Sequence, residues 1–249
     1  MSSPNDTSRR RFLKGSLTVA PLAAGGLSAG LLNAQETPLR DDLSRSAPAI
    51  PDTPASENYQ PKFFTPDEWA FIHAAVDRLI PKDHVGPGAV ELGVPEYIDR
   101  QMHTPWAEGA RMYLQGPFIK SAPEFGYQMK LTPKEQFRLG IKAINEYTRA
   151  HYDNKAFVDL DVNTQTDLFK QIEGGKAKHE SFNLATFFNS FLLATTMEGY
   201  FCDPMYGGNK NMGAWKMIGY PGVRADYTEW VGQSAPYPYA PVSMYGKRG

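Results

Sequence analysis

Only one cysteine, Cys202, occurs among the 249 residues. That excludes an intramolecular disulfide and a cysteine-clustered zinc or iron–sulfur site. The five histidines, His73, His84, His103, His151 and His179, are scattered. No H-x-x-x-H or E-x-x-H spacing brings imidazoles and carboxylates to one helix face, as a helical di-iron bundle requires. No C-x-x-C-H attaches a c-type haem to this chain. No G-x-G-x-x-G follows a strand pattern, and no G-x-S-x-G is present, so dinucleotide binding and the common hydrolase elbow lack support. With net charge −1 and no basic block beyond the N-terminus, a nucleic-acid role has no electrostatic basis. Sustained period-two alternation is also missing, which argues against a sheet.

What is present begins with an address. Residues 1–34 hold Arg9, Arg10, Arg11 and Lys14 against Asp6, a net of +3 that leaves −4 for the remainder. Ser8-Arg9-Arg10-Arg11-Phe12-Leu13-Lys14 matches the twin-arginine export pattern, with Arg9, Arg10, Phe12 and Leu13 as its signal residues. The Ala/Gly-rich stretch to Leu32 is a short apolar region, weaker than a membrane span, and Ala34 offers a cleavage edge. Twin-arginine export carries folded chains, which suits a protein that holds a cofactor or travels with one that does. Residues 35–62, with Pro38, Pro48, Pro51, Pro54 and Pro61, read as a linker or extended arm.

The body, residues 63–226, reads as one mostly α domain, irregular and rich in long loops. Thr65-Pro66-Asp67-Glu68 and Thr132-Pro133-Lys134-Glu135 are helix starts of the capping-box kind. Trp69, Ile72, Ala75, Val76, Leu79 and Ile80 make the stripe of the first helix, which Pro81 ends. Val94-Pro95-Glu96 opens another helix running to Met102, and Trp106–Leu114 reads as a further short one. Phe137, Ile141, Ile144 and Thr148 line the helix after Thr132. Asn163 or Thr164 caps a shorter helix containing Leu168 and Ile172. The strongest pattern runs from Ser181 to about Tyr200, with Leu184, Phe187, Phe188, Phe191, Leu192 and Thr195 on one face. Residues 227–249, with Pro236, Tyr237, Pro238, Tyr239, Pro241 and Tyr245, form a Pro/Tyr-rich tail, read as a partner-docking arm.

The chain is organised around Glu198-Gly199-Tyr200-Phe201-Cys202-Asp203-Pro204-Met205-Tyr206-Gly207-Gly208-Asn209, continuing to Trp215-Lys216-Met217-Ile218-Gly219-Tyr220-Pro221-Gly222. Asp203-Pro204 ends the long helix, because proline removes a donor and disfavours the α region for its predecessor. Asp203 is read as a turn former, Cys202 as a small buried hydrophobe. Glu198 is placed to bond loop amides. The Tyr206–Lys210 turn reads as a structural turn, with an anion nest as the lesser alternative. Tyr206, Gly207, Gly208, Asn209, Trp215 and Tyr220 are the candidate partner interface, since large amphipathic rings suit such surfaces. No catalytic or metal-ligating set emerges; the alternative is an anion site of its own around Glu198, Asp203 and Lys210.

The export signal, F-x-T-P-x-E at residues 63–68, Leu79-Ile80-Pro81 and the Glu198–Gly222 block together resemble the gluconate 2-dehydrogenase subunit 3 family. The resemblance implies a small, cofactor-free subunit of a membrane-associated, flavin-dependent sugar or sugar-acid dehydrogenase. It implies FAD in a large subunit of the glucose-methanol-choline oxidoreductase type and haem c in a multihaem cytochrome subunit. The gluconate reaction converts D-gluconate to 2-dehydro-D-gluconate, with electrons passing to cytochrome c and quinone. The small subunit is expected to escort the flavoprotein through the twin-arginine translocase to the periplasmic face of the inner membrane and to stabilise it. Fructose, sorbitol, glucose and 2-ketogluconate dehydrogenases have similar small subunits, and the resemblance transfers no catalytic residue to this chain.

Overall fold

The computed structural model describes residues 59–249 apart from 111, 120–121 and 126–128, all within one compact unit that begins at Pro48. The export signal and most of the proline-rich arm lie outside the described residues. The described chain is helical, and its only β features are isolated bridges between Gly222, Val242 and Arg248.

Helix α1 spans Pro66–Leu79 and α3 spans Pro133–His151, and both start as their sequences predict. In each, a threonine side chain accepts from the amide three residues on, while the glutamate there accepts from the threonine amide (Thr65 N to Glu68, 2.9 Å; Thr132 N to Glu135, 2.7 Å). These contacts satisfy donors that the first turn leaves without intrahelical partners. Arg138 of α3 reaches the Glu68 carboxylate, donates to Phe63 O at 2.6 Å and lies 4.2 Å over the Phe63 ring. The first capping box is thereby tied to α3 across the fold. The stripes behave as read: Phe137, Ile141, Ile144 and Thr148 are all buried, as are Ile72, Ala75 and Val76, joined by Phe71.

Helix α2 (Val94–Gln101) is short and buried along most of its length. Its Asp99, fully enclosed, accepts four hydrogen bonds: from Tyr59 OH at 2.7 Å and from the amides of Lys62, Phe63 and Phe64 at 2.9, 3.0 and 3.1 Å. The end of the expected linker is thus held against the body by one carboxylate.

Helix α4 spans Val162–Glu173, but its cap is Asp161, not Asn163 or Thr164. The Asp161 carboxylate accepts from both of those amides, at 3.0 and 3.1 Å, a reach that places the cap ahead of them. The expected helix over Trp106–Leu114 does not form, and the described residues there are a run of turns. Gly109 has φ +82°, a left-handed conformation that closes a turn on Trp106 O (2.8 Å) and stops helical propagation.

The long apolar pattern begins at Leu184, capped by Asn183, whose side chain accepts from Thr186 N at 2.9 Å. Helix α5 (Leu184–Phe187) widens into a π-helical segment, Phe188–Leu193, before α6 (Ala194–Phe201). Thr195 and Thr196 donate their hydroxyls to Phe191 O and Leu192 O, both at 2.6 Å, satisfying carbonyls where the regular ladder changes step.

The core between these helices is largely aromatic. Phe64, Phe137 and Phe187 meet edge to face, with centroids 6.0 and 5.5 Å apart; Phe71, Phe157, Phe169 and Phe188 form a second chain at 5.0, 4.8 and 5.1 Å. Such pairs add about 0.5–1.5 kcal/mol each beyond area burial.

The tail is not a free arm throughout. It carries one short 3₁₀ turn, Thr228–Trp230, and then returns to the body. Val223 N donates to Val242 O at 2.7 Å, Val242 N to Pro221 O at 3.1 Å, and Met244 N to the Asp203 carboxylate at 2.7 Å. Its far end packs on its own domain, where the Val242 and Met244 amides find acceptors.

Replacing Asp99 strands three backbone donors and a phenol at once. Asp99→Ala is expected to lower stability by about 3 kcal/mol or more, measured by urea denaturation, and to make the Tyr59–Phe64 segment sensitive to limited proteolysis.

Candidate functional site

The Glu198–Gly222 block is built mainly to satisfy itself. Helix α6 ends as Cys202 turns extended, and Asp203 caps a 3₁₀ turn, Pro204–Tyr206, by accepting from Met205 N at 3.0 Å. With its second oxygen on Met244 N, Asp203 is both the predicted turn former and a clasp for the tail. The chain then packs its glycines against the helices: a Cβ on Gly208 would lie 2.1 Å from Gly199 O, so no side chain fits there.

Asn209 is completely buried and left-handed, with φ +44°. Its side-chain amide donates to Cys202 O and accepts from Ala214 N, both at 2.9 Å, bridging the helix end to the start of α7 (Gly213–Ile218). Asn211 and Met212 are left-handed as well. Non-glycine residues there cost roughly 1–2 kcal/mol each, and asparagine tolerates the conformation better than most. Trp215 is buried, its indole N–H donating to Phe201 O at 2.8 Å and its ring meeting Tyr220 edge to face.

The six residues expected to face a partner therefore divide. Gly207, Gly208, Asn209 and Trp215 are interior, their polar groups and surfaces spent on this chain's own helices. Tyr206 and Tyr220 remain 44% and 46% exposed and are the two free to meet a partner. Ile218 and Val223, not singled out by sequence, are exposed beside them in the chain.

Glu198, Asp203 and Lys210 are not brought together as an anion site. The Lys210 ammonium pairs with the buried Glu96 carboxylate at 2.9 Å, which Arg100 also holds at 2.6 Å. Asp203 is fully engaged by backbone amides. Nor does Glu198 bond loop amides as expected: its hydrogen bond comes from Tyr97 OH of α2, long at 3.4 Å. Glu96 and Asp99 had a signal in the sequence, acidic residues interleaved with Val94, Pro95, Tyr97 and Ile98, but spacing alone does not reveal what they hold.

Glu198 and Tyr97 border a shallow, open depression of about 460 Å³, completed by Gln101, Phe201, Cys202, Asp203 and Tyr206. The Glu198 side chain reaches solvent, yet its surroundings partly strip the carboxyl of water and raise its pKa; the Tyr97 hydroxyl opposes this only in part. Burial, and then the Glu198 charge, hold the Tyr97 phenol above its ordinary range. Burial likewise pushes the Cys202 thiol up to about 12, with its Sγ directed at Gly199 O (3.4 Å). Among the described residues no group of three or more His, Cys, Asp or Glu side chains is arranged to hold a metal ion.

A family model described as gluconate 2-dehydrogenase subunit 3 matches residues 66–222, from the first residue of α1 to the last glycine of the block and well over half the chain. No curated protein and no solved structure matches.

A thiol so protonated is a poor nucleophile. Cys202 in the folded protein is expected to resist iodoacetamide at pH 8 and to label fully in denaturant, read by mass spectrometry. Glu198 has its folded pKa above the ordinary 4.5, so the folded state binds more protons over that window and stability falls as pH rises through it. Glu198→Gln is expected to raise the Tm at pH 7, with the difference disappearing below about pH 4, where Glu198 is protonated in the folded and the unfolded wild type alike.

Proposed function

Because the chain belongs to the gluconate 2-dehydrogenase subunit 3 family, we propose that it is the non-catalytic small subunit of a periplasmic, flavin-dependent dehydrogenase complex. The observation that carries this reading is the family match, which takes in α1 through the whole Glu198–Gly222 block. In this reading FAD and the oxidation of D-gluconate to 2-dehydro-D-gluconate belong to the large subunit. Electrons then pass to a cytochrome c subunit and to quinone.

This chain's own contribution is a surface and an address. Its export signal around Arg9 and Arg10 takes the folded pair through the twin-arginine translocase. The large subunit docks on side chains that the fold leaves outward, Tyr206, Ile218, Tyr220 and Val223 among them, and is stabilised by their burial. Fully burying a side chain of this size gains about 1.5–3 kcal/mol, so a few suffice to matter.

The test is expression of a C-terminally tagged chain in the exporting organism, as wild type and as Arg9→Lys with Arg10→Lys. The wild type is expected to recover from the periplasmic fraction a large protein with a flavin spectrum that reduces a dye with gluconate. The double variant is expected to leave both proteins in the cytoplasm. A colourless lone chain from cells that express the flavoprotein overturns the assembly, and a flavoprotein still exported beside the double variant overturns the escort role.

A further inference from the structure

The acidic side chain that opens the Glu198–Gly222 block is only weakly used by the fold. Among the described residues Glu198 takes part in no ion pair, and its hydrogen bond is the long one from Tyr97. Glu198 is exposed to solvent, and its carboxylate has no cation beside it in the free chain. Its neighbours define what would pair with it. The depression is lined by three aromatic residues, Tyr97, Phe201 and Tyr206, by Gln101, and by a second acidic residue, Asp203. Both oxygens of Asp203 are engaged by the amides of Met205 and Met244. No basic residue lines the depression. Lys210 of the block and Arg100 of α2 are committed to Glu96.

We propose that this depression receives an arginine side chain of the dehydrogenase subunit with which the chain assembles; the inference rests on the assembly proposed above. Charge complementarity selects a cation, and the walls select its kind. A guanidinium is flat, weakly hydrated and forked, so it stacks on tyrosine and phenylalanine faces while pairing with a carboxylate edge. A lysine ammonium is compact and strongly hydrated and gains less from such walls. The openness of the depression favours a side chain presented by a protein over a free small molecule. A free ligand would bury little surface here, whereas a docked arginine brings a rim that excludes water. Such a rim is available: Tyr206 lines the depression, and Met244, tied to Asp203 through its amide, is 58% exposed.

Glu198→Gln separates this role from a structural one, because it removes the unpaired charge. The variant is expected to stabilise the free chain at pH 7 while weakening the complex about tenfold or more, the effect expected for losing a desolvated charge pair. Two measurements decide. First, the isolated full chain, labelled with ¹⁵N, is titrated with N-acetyl-arginine methylamide. Saturable shifts at millimolar concentration are expected for the Tyr97, Gln101 and Glu198 amides, smaller with the lysine analogue and lost in Glu198→Gln. No saturable shift overturns the site whether or not a partner exists. Second, the affinity of the flavoprotein subunit is compared for wild type, Glu198→Gln and Glu198→Arg. Graded weakening, greatest for the charge reversal and steepened at low salt, supports the proposal. Unchanged affinity for a folded Glu198→Arg overturns the partner as the source of the arginine. A wild type that recovers no flavoprotein at all fails the assembly reading itself, and with it the partner's arginine.

Discussion

A buried carboxylate with every lone pair in use sets the frame of this protein. Asp99 takes three successive amides and a phenol from the segment that enters the domain, so the chain cannot lie elsewhere without leaving those donors unpaired. Because Asp99 sits on α2, the same helix that carries Glu96, Arg100 and Tyr97, one short element organises three regions. It fixes the entry to α1, anchors Lys210 in the glycine-rich loop, and faces Glu198 on α6. An isolated helix of eight residues is not stable by itself. These charged contacts and the burial around them hold it.

The block that identifies the family turns out to be chiefly architecture. Asn209 joins the end of α6 to the start of α7 through two hydrogen bonds, and Trp215 closes the same seam from the other side. The glycines allow backbone to approach backbone more closely than any side chain permits. Asp203 then ties the returning tail to this seam. The left-handed backbone of Asn209, Asn211 and Met212 is costly alone and is sustained by these contacts.

What the fold does not consume is as informative as what it does. Tyr206, Tyr220, Ile218 and Val223 keep large apolar surfaces in water, and Glu198 keeps a charge without a counter-ion. An isolated domain gains nothing from these features, although apolar side chains are exposed elsewhere too, at Ile119, Phe125 and Val231 among others. A subunit that completes itself on a partner has a physical reason to retain them.

The sequence by itself determined the helical class, both capping boxes, the stripes of α1 and α3, the turn at Asp203 and the family. Each of these depends on neighbours a few residues apart: a threonine three positions before a glutamate, a proline after an aspartate, apolar residues at helical spacing. Tertiary structure alone decided which way the aromatic block faces. Trp215 and Tyr220 look alike as large rings in a glycine-rich loop, yet one finds Phe201 O and an interior and the other stays half in solvent. The cap at Asp161 and the turn at Gly109 are settled by contacts within three residues of each, among competing local signals, whereas folding alone decided that Lys210 serves Glu96 in place of an anion. The positions of Trp215 and Lys210 depend on acceptors brought close by folding, Phe201 O and Glu96, and no local pattern encodes where such partners come to lie.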